Sequence, residues 1–380
     1  MRNGRNIRIF LQEMADWLTR PAVVFYLLPP VMFLLVTGTI IQKEIGLYDA
    51  HRLYFSSLLV WFGPVPFPGV YPLVAVIAFS LFVRFVWKSE WRWRKAGIHM
   101  AHLGALILLL GGMVTALQAR EGFLVIPEGG VTAFVSDYHK REMLVVRDGA
   151  VLTRVPFSSL RTGDKVFLDG TGLDVRILDR CRNCGIVRRE EASSSAPAPH
   201  LGMAQFMALE PIAPEPDEEI NLSGVTLSLR GAGEAQDGTY IIFEAMPYPL
   251  AIDTDNGAVE IMFGKAQTML PFAVGLESFV KETHPGIDRA RHYHSDVVIY
   301  DGDVSWPVRI EMNRPLRYKG YTLFQSSYVE SEDGVASVLA VVENRGWLFP
   351  YIGTGLLALG LLWHAVLMAA TGRRRRRIIS

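Results

Sequence analysis

Residues 95–117 read K-A-G-I-H-M-A-H-L-G-A-L-I-L-L-L-G-G-M-V-T-A-L, with His99 and His102 at the mouth of an otherwise apolar run. About 20 apolar residues at ~1.5 Å each match a ~30 Å hydrocarbon core, so the stretch 98–117 predicts a membrane-spanning helix. A ring that can ligate a metal or carry a proton is costly to bury there, which makes both histidines functional candidates. Three further segments qualify. Residues 21–41 are apolar apart from two threonines and contain Pro29-Pro30, a kink that neighbouring helices would cover. Residues 71–87 are interrupted by Ser80 and Arg84, and residues 347–370 by Thr354 and His364. The first span is too long for a cleaved signal peptide and no small-residue cleavage site follows it, so it is expected to stay as an anchor.

Lysine and arginine next to the spans set the expected orientation. Arg2, Arg5 and Arg8 precede the first helix, Lys88, Arg92, Arg94 and Lys95 fall in a loop over 88–97, and Arg373–Arg377 lie in the tail 371–380. All are cytoplasmic under the positive-inside rule, which places both termini inside, in a bacterial inner membrane. The tract 1–20 reads as an amphipathic segment on the inner surface, in contact with membrane lipid. Residues 42–70, rich in irregularly spaced aromatics, suit a helix and loop at the outer interface, with His51 solvated there. Formal net charge is zero, and the basic runs do not imply nucleic acid.

Residues 118–346 have a different composition, with β-branched runs such as M-L-V-V-R-D-G-A-V-L-T-R-V and D-V-V-I-Y-D-G-D-V-S-W-P-V. Asp148-Gly149 and Asp301-Gly302 between such runs are strong hairpin signals. The expected fold class is therefore a membrane protein of four transmembrane α-helices with a large, extracytoplasmic, mainly antiparallel β domain between the third and fourth. The Pro- and Ser-rich stretch 188–219 reads as a flexible insertion within it. No phosphate loop, nucleotide fingerprint or zinc-protease motif occurs in the β region.

Three strings carry a family resemblance: H-L-G-A-L-I-L-L-L-G-G at 102–112, R-E-G-F-L-V-I-P-E-G at 120–129, and R-I-E-M-N-R-P-L-R-Y-K-G-Y-T-L-F-Q-S-S-Y at 309–328. Together with three spans, a β domain and one closing span, they resemble the ResB family of cytochrome c biogenesis. The resemblance covers most of the chain, residues 181–219 excepted. It implies a component of the system II cytochrome c synthase, which moves haem across the membrane and attaches it to apocytochrome c together with CcsA. This chain has no tryptophan-rich loop of the CcsA kind, so it would be half of that machine, with no catalytic residue of its own and catalysis shared with the partner.

In that light the intramembrane residues acquire roles. His102 falls ~7 Å into its helix from Gly97, and His364 a comparable ~9 Å from the inner end of the last span, with Arg84 near the same level. Neutral imidazole suits haem iron, and a guanidinium at that depth suits a propionate. The candidate haem b site is thus His102, with His99, three residues away on nearly the same face, as substitute ligand, and with His364 and Arg84 beside them. Two pairings stay open: His102 with His364, or His102 with a histidine of the partner. Interfacial solvation of His99 and snorkelling of Arg84 are the plainer alternatives.

Cys181 and Cys184 are the only cysteines. Two thiols cannot complete a zinc shell, and a glycine follows where c-type haem attachment needs histidine. A disulfide is the default outside the cytoplasm; a redox role is the alternative, since arginines at 180, 182, 188 and 189 would lower a thiol pKa. At the level of function, the alternative to haem delivery is a b-type haem subunit passing electrons from quinol to a partner, and a haem-free assembly factor is a third.

Overall fold

The computed structural model describes residues 13–14, 16–87, 89–168, 170–189, 199–254, 257–287, 290–332 and 334–379, with side chains as far as 370. Most of the tract 1–20 expected to be amphipathic, the Lys88 side chain and the basic side chains of the tail lie outside the described residues. The chain divides into two compact units, one of residues 1–120 and 343–380, the other of residues 121–342.

The first unit holds four helices long and apolar enough to cross a membrane: α1 (Pro21–Ile45), α2 (Val70–Trp87), α3 (Ala96–Gln118) and α4 (Phe349–Ile379). Pro21 opens α1, where its missing N–H costs nothing. Gly46, at φ 83°, ends it in a conformation that a side chain would resist. Residues 42–70 are more ordered than a helix and loop. A short helix, Leu47–Ala50, runs into a π-turn at His51–Phe55, and a hairpin follows, β1 (Leu59–Phe62) with β2 (Val65–Pro68). Leu34, Val60 and Leu73 form a small core there, with Tyr54, Phe62 and Phe67 against it.

Helices α3 and α4 pack antiparallel along a seam of glycines seven residues apart, Gly97, Gly104 and Gly111 facing Gly360, Gly353 and Gly346. A methyl at Gly97 would sit 2.5 Å from the Gly360 carbonyl oxygen, and one at Gly104 would sit 2.6 Å from that of Gly353. In lipid no hydrophobic drive joins two apolar helices, so close backbone approach through small residues supplies the packing. The seven-residue repeat keeps the seam facing its partner over the helix length.

The second unit is built from antiparallel strands. Its first half contains β3 (Arg120–Pro127), β4 (Val131–Arg147), β5 (Ala150–Pro156), β6 (Lys165–Phe167), β7 (Asp174–Cys181), β8 (Cys184–Arg188), β9 (Met207–Pro211), β10 (Gly224–Arg230) and β11 (Gly238–Phe243). The remainder are β12 (Leu250–Thr254), β13 (Gly257–Thr283), β14 (Ala290–Asp301), β15 (Val304–Glu311), β16 (Leu316–Tyr318), β17 (Tyr321–Ser331) and β18 (Gly334–Glu343). A ten-stranded sheet includes the order β15-β14-β13-β4-β3-β18-β17-β16, with β12 and β5 beside β13 and β4; β11-β10-β7-β6 form a second sheet.

Two cores result, because β13 is long enough to serve both. Its start, with Val259, Ile261 and Phe263, packs with β4 against Val175, Ile177, Val225 and Leu227 of the four-stranded sheet. Its later part, with Leu270, Phe272, Val274 and Leu276, packs against Leu124, Val297, Ile310, Leu323 and Leu339. Asp148-Gly149 makes a two-residue turn with positive φ at both positions, the twist-matched hairpin form. At the second Asp-Gly, Asp301 pairs with Val304, so the loop residues are Gly302 and Asp303, one step later.

The stretch 188–219, expected to be a flexible insertion, is structured over its described part. Strand β9 pairs with β8, and Ala204 and Leu209 are buried against the cysteines. The Arg189 side chain donates to the Ala204 and Met207 carbonyls. The apolar M-A-Q-F-M-A-L run inside the polar stretch drives this burial; residues 190–198 lie outside the described residues.

Candidate functional site

His99 is buried, 9% exposed, near the start of α3. Its Nε2 lies 2.8 Å from the Glu90 carbonyl oxygen, and the Trp91 ring stacks on it at 4.9 Å. A carbonyl only accepts, so Nε2 carries the proton and Nδ1 carries the lone pair. That Nδ1 is buried with no hydrogen-bond partner in the described structure. The loop pins His99 by Nε2.

One turn along, the His102 ring is half-buried. Arg84 and His99 are both close enough to act on it electrostatically. Arg84 Nη1 donates to the Thr19 carbonyl at 2.8 Å, and one turn earlier Ser80 Oγ donates to Leu18 at 2.5 Å. The two side chains together tie residues 18–19 to α2, and four of the arginine's five donors remain for other acceptors.

His364 comes from α4, with its backbone nitrogen and Cβ against Gly97. Its Nδ1 is buried without a hydrogen-bond partner in the described structure. The fold thus brings His99, His102 and Arg84 within electrostatic reach of one another and His364 to the same end of the α3–α4 pair. His51 is apart from them, exposed and bonded through Nδ1 to Ser56 Oγ at 3.1 Å. Among the described residues no group of three His, Cys, Asp or Glu side chains is placed to hold a metal ion. Sequence reasoning missed Trp91 and the glycine seam; the seven-residue spacing of 97/104/111 and 346/353/360 was the signal available.

In the second unit Cys181 and Cys184 form a disulfide, both buried with Ala204, Leu209, Ile241 and Phe243. Beside it Arg141, 4% exposed, donates through Nε to Glu244 at 2.7 Å, through Nη1 to Glu218 at 3.0 Å, and through Nη2 to the Glu218 and Asn221 carbonyls. Arg182 pairs with the same Glu218. A buried guanidinium is tolerable only when its donors are answered in this way.

The string 309–328 also resolves into structure. Lys319 and Gly320, with φ 47° and 85°, form the tight turn joining β16 to β17. Asp301 accepts from Tyr318 at 2.5 Å and pairs with Lys319 at 2.6 Å, and its carboxyl is held below the usual range, chiefly by the Lys319 bond. Gln325 is buried in a cluster with Ser295 at 2.6 Å and Ser337 at 3.1 Å. These residues turn the chain and satisfy a polar pocket in the second core.

Residues 239–365 match the model of the ResB-like family. That span runs from β11 into α4, taking in the string 309–328 and His364; His99, His102 and Arg84 precede it. Over 365 residues the chain is 26% identical to Protein NrfI of Wolinella succinogenes, an alignment covering 92% of this chain and 35% of that protein. The chain thus spans about a third of the length of the curated relative it matches.

Proposed function

We propose that this ResB-like protein is a membrane component of cytochrome c biogenesis that holds haem, as cargo, at the His102 end of α3 and works with a CcsA-type partner in system II. One observation carries the site: His102, half-buried and one turn from His99, lies on the helix whose Gly97 packs against His364, within electrostatic reach of the Arg84 guanidinium, which has donors to spare. Burying such a ring in hydrocarbon without a ligand or partner would be costly. Arg84 offers hydrogen bonds and charge to a propionate. His99, with Nε2 given to Glu90, is the weaker ligand; His364 is the candidate for the opposite side of the iron within one chain.

The basic residues between α2 and α3 support, by the positive-inside rule, a cytoplasmic side for this end of the helices and an outer side for residues 121–342, where an apocytochrome would be met. The full chain, purified with and without a CcsA-type partner, is read by its pyridine haemochrome spectrum. Haem b is expected, with His102→Ala losing most of it and His99→Ala losing less. An unchanged spectrum in His102→Ala removes that residue from the site; parallel loss in His364→Ala assigns both ligands to this chain. Copurification with a quinol oxidoreductase in place of the CcsA-type partner would favour the electron-transfer reading.

A further inference from the structure

The helical unit has a cavity whose lining includes none of the histidines. It has a volume of about 290 Å³ and is lined by Trp17, Arg20, Val23, Tyr26, Leu27 and Val76, among others. Its polar and apolar lining are separated along the chain: Arg20 precedes the first residue of α1, and Leu27, seven residues on, lies about 10 Å further along it. Trp17 and Tyr26, which also line it, are 56% and 71% exposed. The wall is fixed by bonds already described, since Ser80 and Arg84 of α2 hold the Leu18 and Thr19 carbonyls, and Thr19 is buried. The Arg20 side chain is exposed and has no carboxylate partner among the described residues.

From this arrangement we infer that the cavity is a binding site for an anionic phospholipid, its phosphate on Arg20 and one acyl chain in the slot between α1 and α2. The volume is just below the ~300–1,000 Å³ of small-molecule sites, which suits the part of one acyl chain nearest the headgroup. Among the described lining residues Arg20 is the one cation, in company with two aromatics and apolar side chains, which is the chemistry of a headgroup contact at a membrane interface. A zwitterionic lipid fills the slot equally well and gains less from the charge. The inference shares the membrane placement with the proposed function, but its test reads lipid and not haem, so the two fail separately.

Full-length protein in mixed micelles is offered phosphatidylglycerol or phosphatidylcholine with the same acyl chains, and retained lipid is counted by native mass spectrometry. A single charge near the surface is expected to favour phosphatidylglycerol about fivefold. Arg20→Gln should abolish that preference and Arg20→Lys should keep it. Val76→Trp, which fills the slot and leaves the charge, should lower retention of both lipids. Equal retention of the two lipids by the unsubstituted protein overturns the site. So does a preference that survives Arg20→Gln, or retention indifferent to Val76→Trp, because either describes lipid drawn to the surface at large.

Discussion

Cys181 and Cys184 illustrate how far a single residue's reading depends on its surroundings. Arginines at 180, 182, 188 and 189 would favour a reactive thiolate if they faced the sulfurs in the open. Instead Arg182 is spent on Glu218, Arg189 on backbone carbonyls, and both sulfurs lie in an apolar cluster. Low exposure shields a disulfide from exchange partners. We expect Cys181→Ser with Cys184→Ser to leave cytochrome c maturation largely intact. Closing so short a loop stabilises by less than the ~3 kcal/mol of a 15-residue loop, so a small fall in melting temperature is the main effect. Loss of maturation that added reductant restores would assign the pair a redox duty.

Among elements, the α3–α4 pair makes the sharpest demand on its sequence. A Cβ on Gly104 would meet the Gly353 oxygen and the Leu357 nitrogen at 2.6 Å each, both backbone atoms that cannot swing aside. Gly112, one residue beyond the seam glycine Gly111, has nothing within 4 Å of the same position. Gly104→Ala is therefore expected to destabilise the helical unit by about 1–3 kcal/mol, the usual cost of overpacking. Gly112→Ala should be neutral or stabilising by up to about 1 kcal/mol through helix propensity. Thermal unfolding of both variants in detergent checks the contrast; equal behaviour would mean that the seam does not hold the pair together.

For the whole molecule, acid should weaken the β unit in two stages. Burial depresses the His139 imidazole below its ordinary 6.5, outweighing the carboxylates of Glu219 and Asp137, and burial does the same to His200. Bonds to Lys319 and Arg309 hold Asp301 and Asp296 below the ordinary 3.8. In each case the unfolded chain binds protons that the native state refuses, so stability is present above the ordinary value and is lost as pH falls through the depressed one. Melting temperature should decline first below about 6.5 and again below about 4. His139→Gln should reduce the upper stage and leave the His200 share, and a flat profile above pH 5 in the unsubstituted protein would contradict it. Topology is tested with reporter fusions: one within 192–199 is expected to report outside and one after Thr371 inside. A cytoplasmic report from 192–199 would remove the β unit from apocytochromes and with it the proposed function.

Four apolar segments, alternating β runs and Asp-Gly turns were legible in the sequence because hydropathy and turn chemistry act over a few neighbouring residues. The same locality explains the misreadings. The stretch 188–219 looked disordered by composition, yet it contributes a strand because Leu209 and Ala204 find apolar partners elsewhere in the chain. The hairpin at Lys319-Gly320 lacks the usual Asn or Asp and was not singled out. His99, His102, His364 and Arg84 could be named from the sequence as ionisable groups in apolar helices. Only the tertiary structure decided that Nε2 of His99 is taken by Glu90, that Arg84 holds Thr19, and that His364 lies against Gly97. Arg141 meets Glu218 and Glu244 across separations of 77 and 103 residues. No periodicity encodes such pairings, because they depend on which surfaces meet after the chain has folded.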